Sequence, residues 1–211
     1  MGRLGDWALG VGCCCIGEGF GLAVRVTGGR RGTPGARGKG EVLRFELQIR
    51  DELPTDRAQV RAVNEAAFGR PDEADLIDAL RDEGAILLSL VVEVESQIAG
   101  HILFSRMSVE TAQGSIAAVS LAPMAVFPGY QGEGIGSELV RRGLDRLRDQ
   151  HESIVIVLGH EHYYPRFGFS SQKARRLSSP FPPEAFMALE LTEGALLGIQ
   201  GTVRYAAAFG L

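Results

Sequence analysis

At 211 residues, with 45% hydrophobic and 23% charged residues, the chain has the make-up of one ordinary globular domain and is too short for two full ones. Its longest apolar runs are too short to cross a bilayer as a helix. The formal charge of −4 is unevenly spread: residues 1–44 carry seven Arg and Lys against three acidic residues, and the remainder fifteen against twenty-three, a balance that disfavours nonspecific nucleic-acid binding by the body of the chain.

Residues 1–44 predict an extension and not a domain. Thirteen of the 28 glycines fall within the first 40 positions, and residues 28–40 are mostly Gly, Arg, Thr and Pro. That composition buries too little apolar surface to offset the entropy of ordering, so a disordered Gly/Arg-rich extension is expected, or a start site assigned too far upstream. Asp6 stands where a myristoylation motif needs Ser or Thr, and with Trp7–Gly12 it makes a poor signal sequence. All three cysteines, Cys13, Cys14 and Cys15, lie in this extension, so the body cannot depend on disulfides and a cytoplasmic location is expected.

In the body, 45–211, Phe45–Arg50 alternates apolar and polar residues and predicts a first strand. Pro54–Thr55 offers a cap to a helix rich in Ala and Val that stops at Gly69. A second helix is predicted from Asp72, with Asp75 three positions on and Leu76, Ile77 and Leu80 as its apolar face, to Gly84. Ile86–Val94 and Gln97–Phe104 are β-branched and apolar about a Glu95–Ser96 turn, which predicts an antiparallel hairpin. After a turn at Gln113–Gly114, Ile116–Phe127 predicts a buried strand interrupted by Pro123; proline cannot donate to a ladder, so it marks a bulge or an unpaired edge. Gly134–Arg148 carries Ile135, Leu139, Val140, Leu144 and Leu147 along one side and predicts a helix covering the sheet. Ile154–Leu158 is a wholly apolar strand, parallel to its predecessor if that helix makes a right-handed crossover. Pro180, Pro182 and Pro183 mark a loop, Phe186–Leu191 a strand and Thr202–Ala206 a closing strand.

The most informative stretch lies between the Pro123 strand and its helix: Val126-Phe127-Pro128-Gly129-Tyr130-Gln131-Gly132-Glu133-Gly134-Ile135-Gly136. Three alternate glycines leave backbone N–H groups free to converge on an anion at the positive end of a helix. The spacing G-x-G-x-G without a lysine fits neither a dinucleotide fingerprint nor a P-loop.

With Gln131 in front, Q-x-x-G-x-G on a strand–loop–helix resembles the acetyl-CoA signature of the GNAT superfamily of N-acetyltransferases. A second block agrees: Tyr163-Tyr164-Pro165-Arg166-Phe167-Gly168-Phe169 resembles the segment where that superfamily keeps a catalytic tyrosine. The residues Leu158–Tyr164 and Pro182–Leu191 resemble a YhbS-like bacterial branch of predicted acetyltransferases, and the likeness runs over 45–211. It implies an α/β (α+β) acyl-CoA N-acyltransferase fold: a mixed, mostly antiparallel sheet, bulged and splayed at Pro123, with helices on both faces. It implies acetyl-CoA as co-substrate and no metal, with Gln131, Gly132, Glu133, Gly134, Ile135 and Gly136 at the diphosphate, the main chain of Met124, Ala125 and Val126 along the pantetheine arm, and Phe167 beside them. The same likeness makes Tyr164 the general acid, with Tyr163 able to substitute, and gives the carbonyl oxygen to the N–H of Met124 or Val126.

No cysteine in the body can carry an acyl group, so direct transfer of acetyl to a primary amine in a ternary complex is expected. The acceptor, a small molecule or a peptide, stays open, as does the choice between monomer and homodimer; no nucleic-acid or membrane partner is expected. The alternative is a CoA- or acyl-CoA-binding sensor or partner-recognition module without catalysis, motivated by the lack of an obvious base. Ser120, His101, Glu65 and Glu73 could serve through water, and none is assigned. Arg141 and Arg142 could reach the 3'-phosphate. His160 and His162 flank Glu161, but two histidines do not make a closed zinc site and read better as pocket lining.

Overall fold

A computed structural model of the protein describes residues 47–211. The expected extension over 1–44, and the boundary at 45, lie outside the described residues. Twelve elements follow in chain order: β1 (Gln48–Asp51), α1 (Arg57–Phe68), α2 (Asp72–Glu83), β2 (Ile86–Val94), β3 (Gln97–Thr111), β4 (Gly114–Val126), α3 (Ile135–Asp149), β5 (Ile154–Leu158), α4 (Ser171–Ala174), β6 (Leu177–Ser178), β7 (Phe186–Glu190) and β8 (Gly201–Arg204). The eight strands form one sheet in the order β1-β2-β3-β4-β5-β7, with β8 beside β3 and β6 beside β8. Only β4/β5 and β6/β8 pair in parallel, as expected for a mixed sheet in which α3 makes the crossover.

Alternation along β3 sorts the two faces. His101 and Leu103 point to the side covered by α1 and α2, where Asn64 of α1 meets His101 and Leu103 joins Val60, Ile77 and Leu80. Ile102 and Phe104 point to the other side, into a core shared with Leu139, Val140, Leu144 and Leu147 of α3. That helix lies close. A Cβ at Gly143 would overlap the Phe104 ring, and one at Gly100 would stand 3.1 Å from Ile135 Cγ2. A third cluster, with Ile154, Ile156, Phe186 and Val203, fills the β5–β7 side. Among the described residues no helix is long and apolar enough to cross a membrane.

Two details depart from the sequence expectation. Asp56, not Thr55, organises the start of α1: it accepts from the Leu53 N–H at 2.7 Å and pairs with Arg50 at 2.6 Å, closing a 3₁₀ turn over Pro54–Asp56. The hairpin strand β3 runs seven residues past Phe104 to Thr111. Met107 and Val109 stay buried while Arg106 and Glu110 face solvent, a period-two pattern that holds the strand against β4 on one side and β8 on the other.

Candidate active site

The centre of interest is a fork in the sheet. β4 and β5 share three ladder pairs, Val119–Val155, Ser120–Ile156 and Leu121–Val157. The next two residues of β4, Ala122 and Pro123, are a bulge: Phe104 pairs with Leu121 and Ile102 with Met124, so both oppose Leu103 alone, and their peptide bond is cis. Beyond it β4 follows β3 to the pair Gly100–Val126, while β5 stays with β7 to the pair Leu158–Phe186. The two strands have parted.

The register decides which main-chain groups face the opening. Phe127 donates its N–H to the Ala99 carbonyl at 2.8 Å. In an antiparallel ladder the groups of successive residues alternate in direction, so those of Ala125 turn to β3, and those of Met124 and Val126 turn to the side that β5 has left. The N–H groups of Met124 and Val126 thus face the fork, and that of Ala125 faces β3. The Val126 carbonyl accepts from Gln131 Nε2 at 2.9 Å, which ties the loop to the strand end.

The loop turns through a 3₁₀ segment at Pro128–Tyr130, and then takes φ of +83° at both Gly132 and Gly134, the N-cap of α3. An L-residue with a Cβ holds that backbone only at a cost, and Gly134 has open space where its Cβ would be. The α3 bond that spans the cap runs from the Glu138 N–H to the Gly134 carbonyl at 3.1 Å. The N–H groups of Ile135, Gly136 and Ser137 precede it and belong to the unsatisfied positive end of the helix. Glu133 and Gly134 are exposed, and the buried side chain of Ile135 roots the turn in the core. Backbone donors, a helix terminus and unfilled room together fit a diphosphate.

Across the fork, a 3₁₀ turn at Tyr164–Phe167 follows β5. Tyr164 is 2% exposed and lies in the same cluster as Met124, Val126 and Ile135. Its ring meets Phe169 and Tyr163 edge-on, with centroids at 5.6 and 5.1 Å. Gly159 backs it, because any Cβ there would overlap the ring. Gly159 escaped sequence reasoning; a glycine closing a wholly apolar strand was the available signal. Phe167 is half-buried beside Tyr163, at 5.4 Å, and under the Arg141 guanidinium at 5.6 Å. Arg166 sits 4.2 Å over the Tyr163 ring and donates from Nε to the Tyr163 carbonyl, so it braces this turn.

The polar residues left open fall elsewhere. His101 is fully enclosed: Asn64 Nδ2 lies 3.2 Å from Nδ1 and Ser89 Oγ 2.9 Å from Nε2, and Ser89 passes the bond on to Glu52, which also holds Arg81. Burial pushes the His101 pKa down, against the pull of Glu52, so the ring is neutral with both nitrogens engaged. Burial alone would raise the Glu52 carboxyl, but the His101 ring 3.8 Å away, the bond from Ser89 and the charge of Arg81 hold it at about 2. Glu73 pairs with Arg70 and Glu65 with Arg61. Arg141 also pairs with Glu138 at 3.4 Å. His162 is 93% exposed and pairs with Glu161. Ser120 alone of the four lies in the fork, in its last ladder rows.

A strand–glycine loop–helix cradle opening on a bulged, forked sheet defines an acyl-CoA-dependent transferase fold. The model of the acetyltransferase (GNAT) domain matches residues 48–171. The Escherichia coli K12 protein called uncharacterized N-acetyltransferase YjhQ is 40% identical over 148 residues, 68% of this chain and 81% of its own. YhbS of the same strain, also called an uncharacterized N-acetyltransferase, is 34% identical over 162 residues, 75% of this chain and 96% of its own. Among solved structures, E. coli YhbS in complex with CoA superposes with a TM-score of 0.75 at 31% identity, covering 82% of this chain and 96% of that one. A Brucella melitensis GNAT acetyltransferase in complex with acetyl-CoA superposes at 0.66 with 36% identity, covering 78% and 99%. The chain belongs to the GNAT family of acetyltransferases.

Proposed function

We propose that the protein transfers the acetyl group of acetyl-CoA to a primary amine, a small molecule or a peptide terminus or side chain, in one step within a ternary complex. The observation that carries this is the cradle at Gln131–Gly136 opening directly onto the fork between β4 and β5. Its relatives are named as acetyltransferases, which favours turnover over binding alone.

In this reading Gly132, Gly134 and Gly136 hold the diphosphate through main-chain N–H groups, with Glu133 and Ile135 setting the turn. Gln131 acts indirectly by pinning Val126. Acetyl-CoA supplies an activated acetyl as a thioester. The N–H groups of Met124 and Val126 face the fork as donors for its carbonyl oxygen, in place of the strand partner that β5 no longer provides. Tyr164 gives its hydroxyl proton to the departing sulfur, with its ring fixed by Gly159, Tyr163 and Phe169. The acceptor enters as the neutral amine and loses its proton to water, since His101 is walled off in its own network. No cysteine occurs beyond Cys15, so the body has no thiol to hold an acyl intermediate, and this also suits a reducing cytoplasm. Calorimetry with CoA followed by thiol release from acetyl-CoA across an amine panel tests the reading; no heat with CoA, or ping-pong kinetics, overturns it.

A further inference from the structure

The hydrogen bonds around His101 can run in only one direction. Glu52 is ionised and can only accept, so the single proton of Ser89 Oγ goes to it, and the Ser89 oxygen must accept from His101 Nε2 at 2.9 Å. On the other side of the ring, Asn64 Nδ2 lies 2.8 Å from the Val60 carbonyl, an acceptor, which fixes the amide with its nitrogen towards the ring. Asn64 Nδ2 therefore donates to His101 Nδ1 at 3.2 Å, and Nδ1 bears no proton. Both ends assign the same neutral tautomer, Nε2–H.

One atom is left over. Asn64 is wholly enclosed, yet its Oδ1 has no hydrogen-bond partner in the protein, and a buried acceptor left bare is destabilising. A second proton, taken by Nδ1 from solvent, supplies that partner. The amide then turns over, Oδ1 accepts from Nδ1–H, and an oxygen stands against the Val60 carbonyl where a donor had been. The outer end of this row of bonds is open to solvent, since Glu52, Ser89 and Arg81 line a surface hollow of about 370 Å³. Around the ring, Glu52 draws a proton in, while burial and Arg81 of α2 hold it out. α1, β2 and β4 present Asn64, Ser89 and Ala125, none of them charged.

The ring stands directly behind the fork. His101 is the cross-strand partner of Ala125, the residue between Met124 and Val126. Val60 and Val63 of α1 share a core cluster with Leu103, Ala122 and Ala125, so α1 packs against the back of the bulge, and the Asn64–His101 bond ties the middle of that helix to β3 beside it. We propose that His101 and Asn64 are positioning residues: with one proton on the ring they tie α1 down behind the bulge, and a second proton undoes the tie and loosens the hold of Met124 and Val126 on CoA. The link to CoA rests on the acetyltransferase reading and adds to it a control by acid that needs no contact between His101 and either substrate.

The test uses the full chain. Nitrogen NMR of the histidine rings reads the tautomer directly, because the chain has only four histidines and His101→Gln identifies the signal of this one. Expected is an Nε2–H ring that is still neutral at a pH of about 6.5, where a free imidazole is half charged, and that takes its second proton in more acid solution together with shifts of the Met124 and Val126 amides. Over that step the Kd for CoA, read by calorimetry, should rise about tenfold, as for the loss of one hydrogen bond. The same titration of His101→Gln accounts for the nucleotide's own phosphate, which protonates near pH of about 6, and should lack the step. Asn64→Asp, whose carboxylate accepts from Nδ1–H, should hold the ring charged at neutral pH and show the raised Kd there. An Nδ1–H ring, a ring that stays neutral until the protein unfolds, a titration that leaves Met124 and Val126 unmoved, or a folded Asn64→Asp that binds CoA as tightly as the parent overturns the inference while leaving the acetyltransferase reading standing. If Asn64→Asp does not fold, the parent's spectra and titration decide. Absence of CoA binding at every pH removes that reading, and the inference with it.

Discussion

Gly134→Ala separates the role of the cradle from the stability of the fold. Gly134 holds φ +83° and ψ 0°, where an alanine costs about 1–2 kcal/mol, and a Cβ there meets nothing within 4 Å. The free protein should therefore lose only that strain, a fall in Tm of about 2–8 °C at this size. If the cradle holds the diphosphate as proposed, CoA fills that space when bound, and a methyl group forces the diphosphate off at least one N–H donor. A hydrogen bond to a charged group contributes about 1.5–3 kcal/mol, so the Kd for CoA should rise about 10- to 150-fold. Gly69→Ala is the matched control, because Gly69 caps α1 at φ +70° and ψ 15°, also with open space, and lies outside the cradle. It should lower Tm by a similar amount and leave the Kd within about twofold. Calorimetry with CoA and thermal melts read both. Equal effects of the two substitutions on CoA affinity would refute the cradle as the diphosphate site.

Tyr164→Phe keeps the ring that Gly159 and Phe169 enclose and removes only the hydroxyl, so kcat should fall by about 10²–10⁴ with the Kd for CoA unchanged; an unaltered kcat takes Tyr164 out of the mechanism. Gly159→Ala displaces that same ring by overlap, and should both destabilise by about 1–3 kcal/mol and slow turnover; loss of stability with full activity in the folded fraction would show that the placement of the Tyr164 hydroxyl is irrelevant. Glu52 titrates at about 2 in the folded protein against 4.5 otherwise, so the stability it contributes is complete above 4.5 and disappears as pH falls through 2. Glu52→Gln should be less stable than the parent by on the order of 3 kcal/mol at neutral pH, and denaturant melts should show the gap closing in acid; a gap independent of pH contradicts the assignment.

Much of this architecture was legible because local chemistry and tertiary structure agree. Pro123 cannot donate to a ladder, and the bulge and fork sit there. Gly69 and Gly84 stop their helices with left-handed residues, as residues without a Cβ readily do. The Gln131–Gly136 loop was visible because its spacing is local, and the structure adds that Gln131 bonds to Val126. The cap at Asp56 was not legible, since its choice over Thr55 depends on Arg50 reaching across from β1. Nor was the enclosure of His101, which joins Asn64, Ser89, Glu52 and Arg81 from four separate elements or connections. Phe181, Tyr205 and Phe209 line one small cavity from positions that no periodicity relates, which is why the expected closing strand at Thr202–Ala206 gave no hint of it.

The placement of β8 has a consequence for how the molecule is made. β2 ends opposite Ser105, and from Ser108 to Thr111 its lane beside β3 is taken over by Gly201–Arg204, residues emerging almost a hundred positions later. A nascent chain leaving the ribosome therefore carries the last four residues of β3 with one edge bare until β8 emerges, 90 residues after Thr111, with unpaired peptide groups open to stray partners. The packing at Gly201 is so close that a Cβ would overlap the Glu110 carbonyl, so this late seal tolerates no side chain at its first residue.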